Sequence, residues 1–218
     1  MRKTLLTLLL ASLSVSALGQ ESRPRGPLED LNVDFMMRGY FCVGSKVADT
    51  QALGGFGPSD NFPKAVEPGM SVSPGVISLI AKPDEEVAFG GKYRGMKVLL
   101  VNATQEDVAF AASDSRLYIV QEALDRDGKW KPVEYLPSSW CGNSYHSVFL
   151  GANQYWEFAA ARYTGRFKTR LRFRLDEQKS ETETVTIYSN EFEGGVNPKQ
   201  FTVKQGHKPT GIMDPYDN

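Results

Sequence analysis

Residues 166–175 alternate without a break. Phe167, Thr169, Leu171, Phe173 and Leu175 fall on one parity, and Arg166, Lys168, Arg170, Arg172 and Arg174 on the other. Successive side chains of a strand point to opposite faces, so this period of two describes a strand with core on one side and water on the other. A helix would scatter both sets around its circumference. A chain containing this segment has to build a layered β structure with one sheet face covered.

Shorter runs of the same kind surround it. Val76–Ala81 reads as a strand. Met96–Asn102 is apolar on both parities, as a central strand would be. Asp107–Ala112 and Arg116–Asp125 follow, then Asp127-Gly128, a strong hairpin signal, and a return over Trp130–Leu136. Tyr145–Leu150 and Gln154–Ala159 flank a turn at Gly151–Asn153. The polar run Asp176–Glu183 turns the chain into Thr184–Phe192, with Val185 and Ile187 facing inward, and Phe201–Val203 supplies a last edge pairing. No helix longer than two turns and no internal repeat is visible. Eight or nine short strands with turn signals every eight to twelve residues predict an all-β fold, an immunoglobulin-like two-sheet antiparallel sandwich over residues 76–204.

The flanks differ in texture. Residues 20–75 are punctuated by Gly and Pro and hold no period for long, although Val33–Val43 suits one short strand. Phe35, Met36, Met37, Tyr40, Phe41 and Phe56 give the segment more apolar mass than a disordered linker carries, so it is expected to be a mostly irregular extension lying over the sandwich. Residues 205–218 read as a tail. At the other end, Arg2 and Lys3, the apolar run Leu5–Leu13 and the small residues of Ala17-Leu18-Gly19 read as a signal peptide over 1–19, too short for a membrane span. That predicts export to the periplasm or the extracellular space. No cysteine follows the cut, which argues against lipoprotein processing.

Composition narrows the partners. A formal net charge of −1 and a pI near 6.2 provide no general attraction to nucleic acid or anionic membrane. Two cysteines, Cys42 and Cys141, in an oxidising compartment predict a disulfide tethering the N-terminal segment. Closing a loop of roughly 100 residues is worth about 4–5 kcal/mol in the chain-entropy account.

Several short patterns carry a resemblance. Gly165-x-Phe167-x-x-x-Leu171-x-Phe173 resembles the penultimate strand of immunoglobulin-like domains. Val101-Asn-Ala-Thr104, Val108-Ala-Phe110 and Asp127-Gly-Lys-Trp130 are similar to secreted immunoglobulin-like domains and, more distantly, to the bacterial intracellular proteinase inhibitor family. Tyr135–His146, Tyr155-Trp156, Phe167–Arg172 and Ile187–Gly194 together look like a group of uncharacterised exported bacterial proteins. The resemblance covers residues 96–201 and implies a fold and a compartment, with no activity attached. The cysteine pair lacks the spacing of the immunoglobulin inter-sheet bridge, so that hallmark is missing.

The chemically richest stretch is Tyr135–His146. Cys141 and His146 there suggest a thiol nucleophile and base, with Asn143 as a nominal third member. Five residues of extended chain span about 16 Å, so a turn at Gly142-Asn143 would have to bring the two together. Cys42, Cys141, His146 and His207 are the formal metal ligands, but their spacing matches no closed zinc pattern. The pairs Glu85-Glu86, Asp125/Asp127 and Glu191/Glu193 sit in turn-like or alternating contexts that suit solvated carboxylates better than a hydrolase or calcium site. Asn102-Ala-Thr104 has the form of a glycosylation acceptor.

Candidate ligand contacts are Trp140, Tyr145 and His146 in the loop, and the cation stripe Arg166, Lys168, Arg170, Arg172 and Arg174. Trp130 and Trp156 suit packing. These observations predict a non-catalytic binding or structural module, without cofactor or metal, whose partner is an envelope protein or an acidic polysaccharide. The alternatives are a protease-inhibitor-like domain acting through a sandwich-end loop, and an enzyme using Cys141 and His146.

Overall fold

The structure is a computed structural model, and it describes residues 26–178, 184–206 and 208. The segment read as a signal peptide, His207 and the tail from residue 209 lie outside the described residues. In chain order the strands are β1 (Met37–Arg38), β2 (Lys64–Ala65), β3 (Ile77–Phe89), β4 (Tyr93–Asn102), β5 (Val108–Ser113), β6 (Arg116–Leu117) and β7 (Ile119–Leu124). They continue as β8 (Trp130–Pro132), β9 (Glu134–Tyr135), β10 (Tyr145–Leu150), β11 (Gln154–Ala161), β12 (Phe167–Gln178), β13 (Thr184–Tyr188) and β14 (Phe192–Val196). The only helical turns among the described residues are two 3₁₀ turns, Gly142–Ser144 and Pro198–Phe201. The fold is all-β, as the alternation requires. It consists of several antiparallel sheets, with a curled half-barrel, and one short parallel pair.

One sheet runs β2-β11-β4-β3. A second runs β13-β12-β7-β8, and β14 shares an edge of β12 with β13. A third runs β10-β5-β6. The expected single strand over Arg116–Asp125 divides at Tyr118. Its first two residues pair with β5 and the remainder with β12, so the chain passes from one sheet to another in mid-run. Thr184–Phe192 divides as well. Ser189 Oγ accepts the Phe173 N–H at 2.9 Å, and the neighbouring Asn190 side chain swings out to the backbone of Ala81, donating to its carbonyl at 3.0 Å and accepting its N–H at 2.9 Å. That contact covers the outer edge of β3, a standard protection against edge pairing. β3 itself runs well past Ala81. Pro83 has no N–H to give the ladder, and the pairing with β4 shifts between Lys82 and Glu86 before it resumes. Gly90, Gly91 and Lys92 then form the three-residue turn into β4, with Gly90 and Gly91 at φ 56° and 69° and the Lys92 N–H on Phe89 O.

The alternation of β12 is realised as drawn. Leu171, Phe173 and Leu175 are fully buried. They join Val98 and Leu100 of β4, Phe110 of β5, Leu150 of β10 and Trp156 and Phe158 of β11 in one core. Trp156 is wholly enclosed, and its indole N–H donates to Gly44 O at 3.1 Å.

The N-terminal segment enters that core. Phe41 is fully buried and meets Phe158 of one sheet and Phe173 of another edge-on, at ring separations of 5.1 and 5.6 Å. Instead of one strand over Val33–Val43, the segment makes scattered backbone attachments. β1 pairs in parallel with β9, Leu31 bridges Tyr163, Met36 bridges Lys204, and Cys42 bridges Arg116. The Met36 bridge replaces the edge pairing expected for Phe201–Val203, because Phe201 closes a 3₁₀ turn.

The expected disulfide does not form, since Cys42 and Cys141 are both free. Cys42 is committed to the bridge with Arg116, while Cys141 precedes the 3₁₀ turn of the Tyr135–His146 loop. The tether is thus non-covalent, built from Phe41 and the backbone pairings.

Candidate functional site

The loop between β9 and β10 is braced from within. Ser139 and Ser144 join their hydroxyls at 2.8 Å, and the Tyr145 hydroxyl donates to Ser139 O at 2.8 Å while receiving the Ser139 N–H at 3.1 Å. Ser139 Oγ also accepts the Cys141 N–H at 3.3 Å. These bonds leave Trp140 standing outward at 78% exposure. Leu53, at 76%, is the other large apolar side chain this open to solvent among the described residues. The two loops touch: a Cβ on Gly142 would sit 3.5 Å from Leu53 Cδ1, and one on Gly55 would sit 3.4 Å from Asn143 Nδ2. No charged residue occurs in 137–145 or in 50–58.

His146 faces the other way. Its ring stacks on Phe56 at 3.7 Å. Nε2 accepts the Ser115 N–H at 3.0 Å, and Nδ1 faces Ser147 O at 3.2 Å, which fixes the tautomer with the proton on Nδ1. Burial holds the imidazole below its ordinary pKa. Both ring nitrogens have backbone partners, and the ring packs on Phe56. Beside it lies a groove of about 390 Å³ lined by Val47, Ala52, Phe56, Phe62, His146 and Val148 among others. Burial raises the Cys42 thiol pKa, with the Arg116 charge opposing and Asp114 adding to the rise.

Three of the five stripe cations carry carboxylates. Arg172 meets buried Glu122 through Nε and Nη2, both at 2.9 Å, and Arg174 reaches the other oxygen of Glu122 at 2.6 Å. Arg174 also meets Asp176 at 3.0 Å, and Arg170 meets Glu191 at 2.6 Å. The Arg172 guanidinium lies 4.3 Å from the Trp130 ring and 3.8 Å from that of Tyr188. Arg166 and Lys168 are exposed at the start of the strand. Much of the stripe's charge is therefore balanced across the sheet, and β12 pairs with β7, β13 and β14.

The largest feature absent from the sequence reading is Glu134. It is completely buried, yet its Oε1 accepts both the Tyr40 and Tyr163 hydroxyls at 2.8 Å and its Oε2 accepts the Gln121 N–H at 2.9 Å. None of these partners is charged. Burial pushes its pKa to about 7, against the three donors that pull it down. Nothing in V-E-Y marks this residue as special, and the alternation of a short strand offers no clue when both its residues face protein.

Asn102, the nominal glycosylation acceptor, is buried. Its amide donates to Glu106 O, Leu150 O and Gly151 O at 2.8–3.1 Å, and its Oδ1 takes both the N–H and the hydroxyl of Thr104. The Asn-x-Thr pattern is thus the turn chemistry joining β4 to β5. Among the described residues, no group of three or more His, Cys, Asp or Glu side chains gathers as a metal site, and no helix is long and apolar enough to cross a membrane. Compared with models of protein families, with curated proteins and with solved structures, the chain matches none.

Proposed function

We propose that the chain is an exported, non-catalytic binding module of the cell envelope, an immunoglobulin-like β-sandwich that docks a protein partner through the end carrying Trp140 and Leu53. The observation behind this reading is the braced loop holding Trp140 outward beside Leu53. A rigid aromatic anchor loses little conformational freedom on binding, and the centres of protein interfaces are rich in such anchors and poor in charge. Loops 50–58 and 137–145 have that composition, which favours a protein over an acidic polysaccharide or an anionic lipid surface. The spent nitrogens of His146 favour binding over thiol catalysis. The export reading rests on Arg2, Lys3, Leu5–Leu13 and Ala17-Leu18-Gly19. The immunoglobulin-like reading rests on the strand spacing and the inward parity of β12.

The test is site-specific photocrosslinking in cells that export the chain, with the crosslinker at position 140, at 53 and, as a control, at the exposed position 188. The same discrete adduct from 140 and 53, absent from 188 and lost in competition with unlabelled chain but not with Trp140→Ala, is the expected result. No adduct at 140, or one pattern at all three positions, would refute the reading. The internal bracing of the loop also suits a protease-inhibitor-like mode, since a rigid extended loop resists cleavage. Dose-dependent inhibition in a protease panel, abolished by Trp140→Ala, would identify the partner as a protease.

A further inference from the structure

Buried polar atoms in folded proteins nearly always have a partner. Four that do not fall within a single two-residue hairpin, the turn from β5 to β6: Ser113 Oγ, Asp114 Oδ2, Arg116 Nε and Arg116 Nη1. Strand pairing shows how three of these atoms are related. Tyr145 opposes Ser113, Ser113 opposes Arg116, and Arg116 opposes Cys42. Directly opposed residues of antiparallel chains put their side chains on one face. Tyr145, Ser113, Arg116 and Cys42 therefore form a row across four extended segments. Ser113 is only 5% exposed, whereas Arg116 and Cys42 are half-buried, so the row runs from a closed centre toward solvent.

The stem of Arg116 is clamped. Gly39 is bare where a Cβ would lie 3.4 Å from Arg116 Cδ and collide with Leu136, and its N–H donates to Tyr135 O at 2.8 Å. Leu136 leads directly into the Trp140 loop, so the row lies beneath the root of that loop. Asp114, the carboxylate nearest this hairpin, has its Oδ1 held by the Gly57 N–H at 3.1 Å and its Cβ against Gly57. That oxygen is turned to the Phe56–Gly57 side, and Oδ2 has no partner. No carboxylate pairs with Arg116 among the described residues.

A guanidinium fixed in this way, with buried N–H groups lacking acceptors and a buried hydroxyl beside it, asks for an oxygen anion. Hydrogen bonds from a charged donor are roughly twice as strong as neutral ones, and desolvation strengthens them further. We propose that Arg116 and Ser113 form an oxyanion site that takes a small carboxylate or phosphate, flanked by the Cys42 thiol. The site is distinct from the docking surface, since neither Trp140 nor Leu53 belongs to the row, and Tyr145 links the two by bracing the Trp140 loop. The thiol reports on occupancy. The Arg116 charge favours the Cys42 thiolate, so an anion that neutralises Arg116 slows alkylation of Cys42 at fixed pH.

Acetate and phosphate are each titrated into the full chain against chloride at constant ionic strength. The Arg116 Nε–H resonance and the alkylation rate of the Cys42 peptide are followed together. At least one oxyanion is expected to give a saturable shift and a matching several-fold slowing. A response to acetate alone assigns a carboxylate, and one to phosphate alone a phosphate group. Arg116→Gln should remove the effect, and Ser113→Ala should weaken the affinity about tenfold, the worth of one hydrogen bond to a charged group. Should Arg116→Gln fail to fold, Ser113→Ala, which removes a single hydroxyl, decides the matter. Responses that do not saturate, that chloride reproduces, or that Ser113→Ala leaves unchanged would overturn the site, and ordered water alone would behave in that way.

Discussion

Glu134 makes folding of this protein depend on pH in a direction opposite to that of most carboxylates. Its pKa is about 7 in the folded chain and 4.5 in the free side chain, because burial outweighs the hydrogen bonds from Tyr163, Gln121 and Tyr40. A folded-state pKa above the unfolded one means that the native protein holds a proton the unfolded chain has already released. Stability therefore falls as pH rises between these two values and is level on either side. One pKa unit corresponds to about 1.4 kcal/mol, so the shift amounts to about 3 kcal/mol, lost between pH 4.5 and 7. Glu134→Gln keeps the shape and removes the titration, and the Tyr40 and Tyr163 hydroxyls can reorient to meet the amide. Urea unfolding of both proteins across pH 4–9, followed by circular dichroism, gives the difference in stability at each pH. Wild type minus Glu134→Gln is expected to decline by about 3 kcal/mol through the window and then stay flat. A flat difference, or one that rises with pH, would show that Glu134 is not the buried, raised carboxyl described here.

Glu122→Gln leaves Arg172 and Arg174 facing a neutral amide in a site where Glu122 is buried, and should cost about 3 kcal/mol in urea unfolding, the lower end for breaking a buried pair because both arginines are partly exposed. Phe41→Ala empties the contact between Phe158 and Phe173 and should cost about 3–5 kcal/mol, with residues 26–62 becoming protease-sensitive before the rest of the chain. Non-reducing mass mapping should find both thiols free, with Cys42 alkylated more slowly than in the unfolded chain because burial raises its pKa. A quantitative Cys42–Cys141 bond would contradict the arrangement of the N-terminal segment.

What the sequence made legible was what repeats at short range. The parity of Arg166–Leu175 gave the buried face of β12 residue by residue, because a strand half in water leaves a period-two record. Asp127-Gly128 gave its hairpin, with Gly128 at φ 72°, since turn chemistry is local. Tyr145–Leu150 was placed to the residue for the same reason. Pro83 interrupts the run after Ala81, so the sequence pattern carries β3 only that far, although the pairing with β4 resumes at Glu86. The sheet change at Tyr118 and the outward turn of Asn190 left no such record, because each is decided by which strand lies alongside.

The site shows the same division more sharply. Trp140 stands out by its residue type and its Pro-Ser-Ser setting, and in the fold it is 78% exposed. Cys42 and Cys141 stood out equally, and compartment arithmetic joined them. In the fold, Cys42 lies opposite Arg116 and Cys141 opens a turn, and no rule of spacing distinguishes that outcome from a bond. Glu134, Tyr40 and Tyr163 are separated by 94 and 29 residues in sequence and meet at one carboxyl oxygen. Ser113 and Arg116 are polar residues flanking a turn, where solvated side chains are ordinary. Only the strand pairing that lays Cys42 and Gly39 over the hairpin removes them from water. A buried polar group is created by the elements that cover it, so the sequence near that group cannot announce it. The segment that covers both Glu134 and Arg116 here is residues 37–43, the stretch whose irregular Gly-punctuated surroundings gave the weakest structural signal. That segment is therefore where a substitution will reach furthest: Tyr40 touches the titrating carboxyl, Phe41 the core, and Cys42 pairs through its backbone with Arg116, within three consecutive residues.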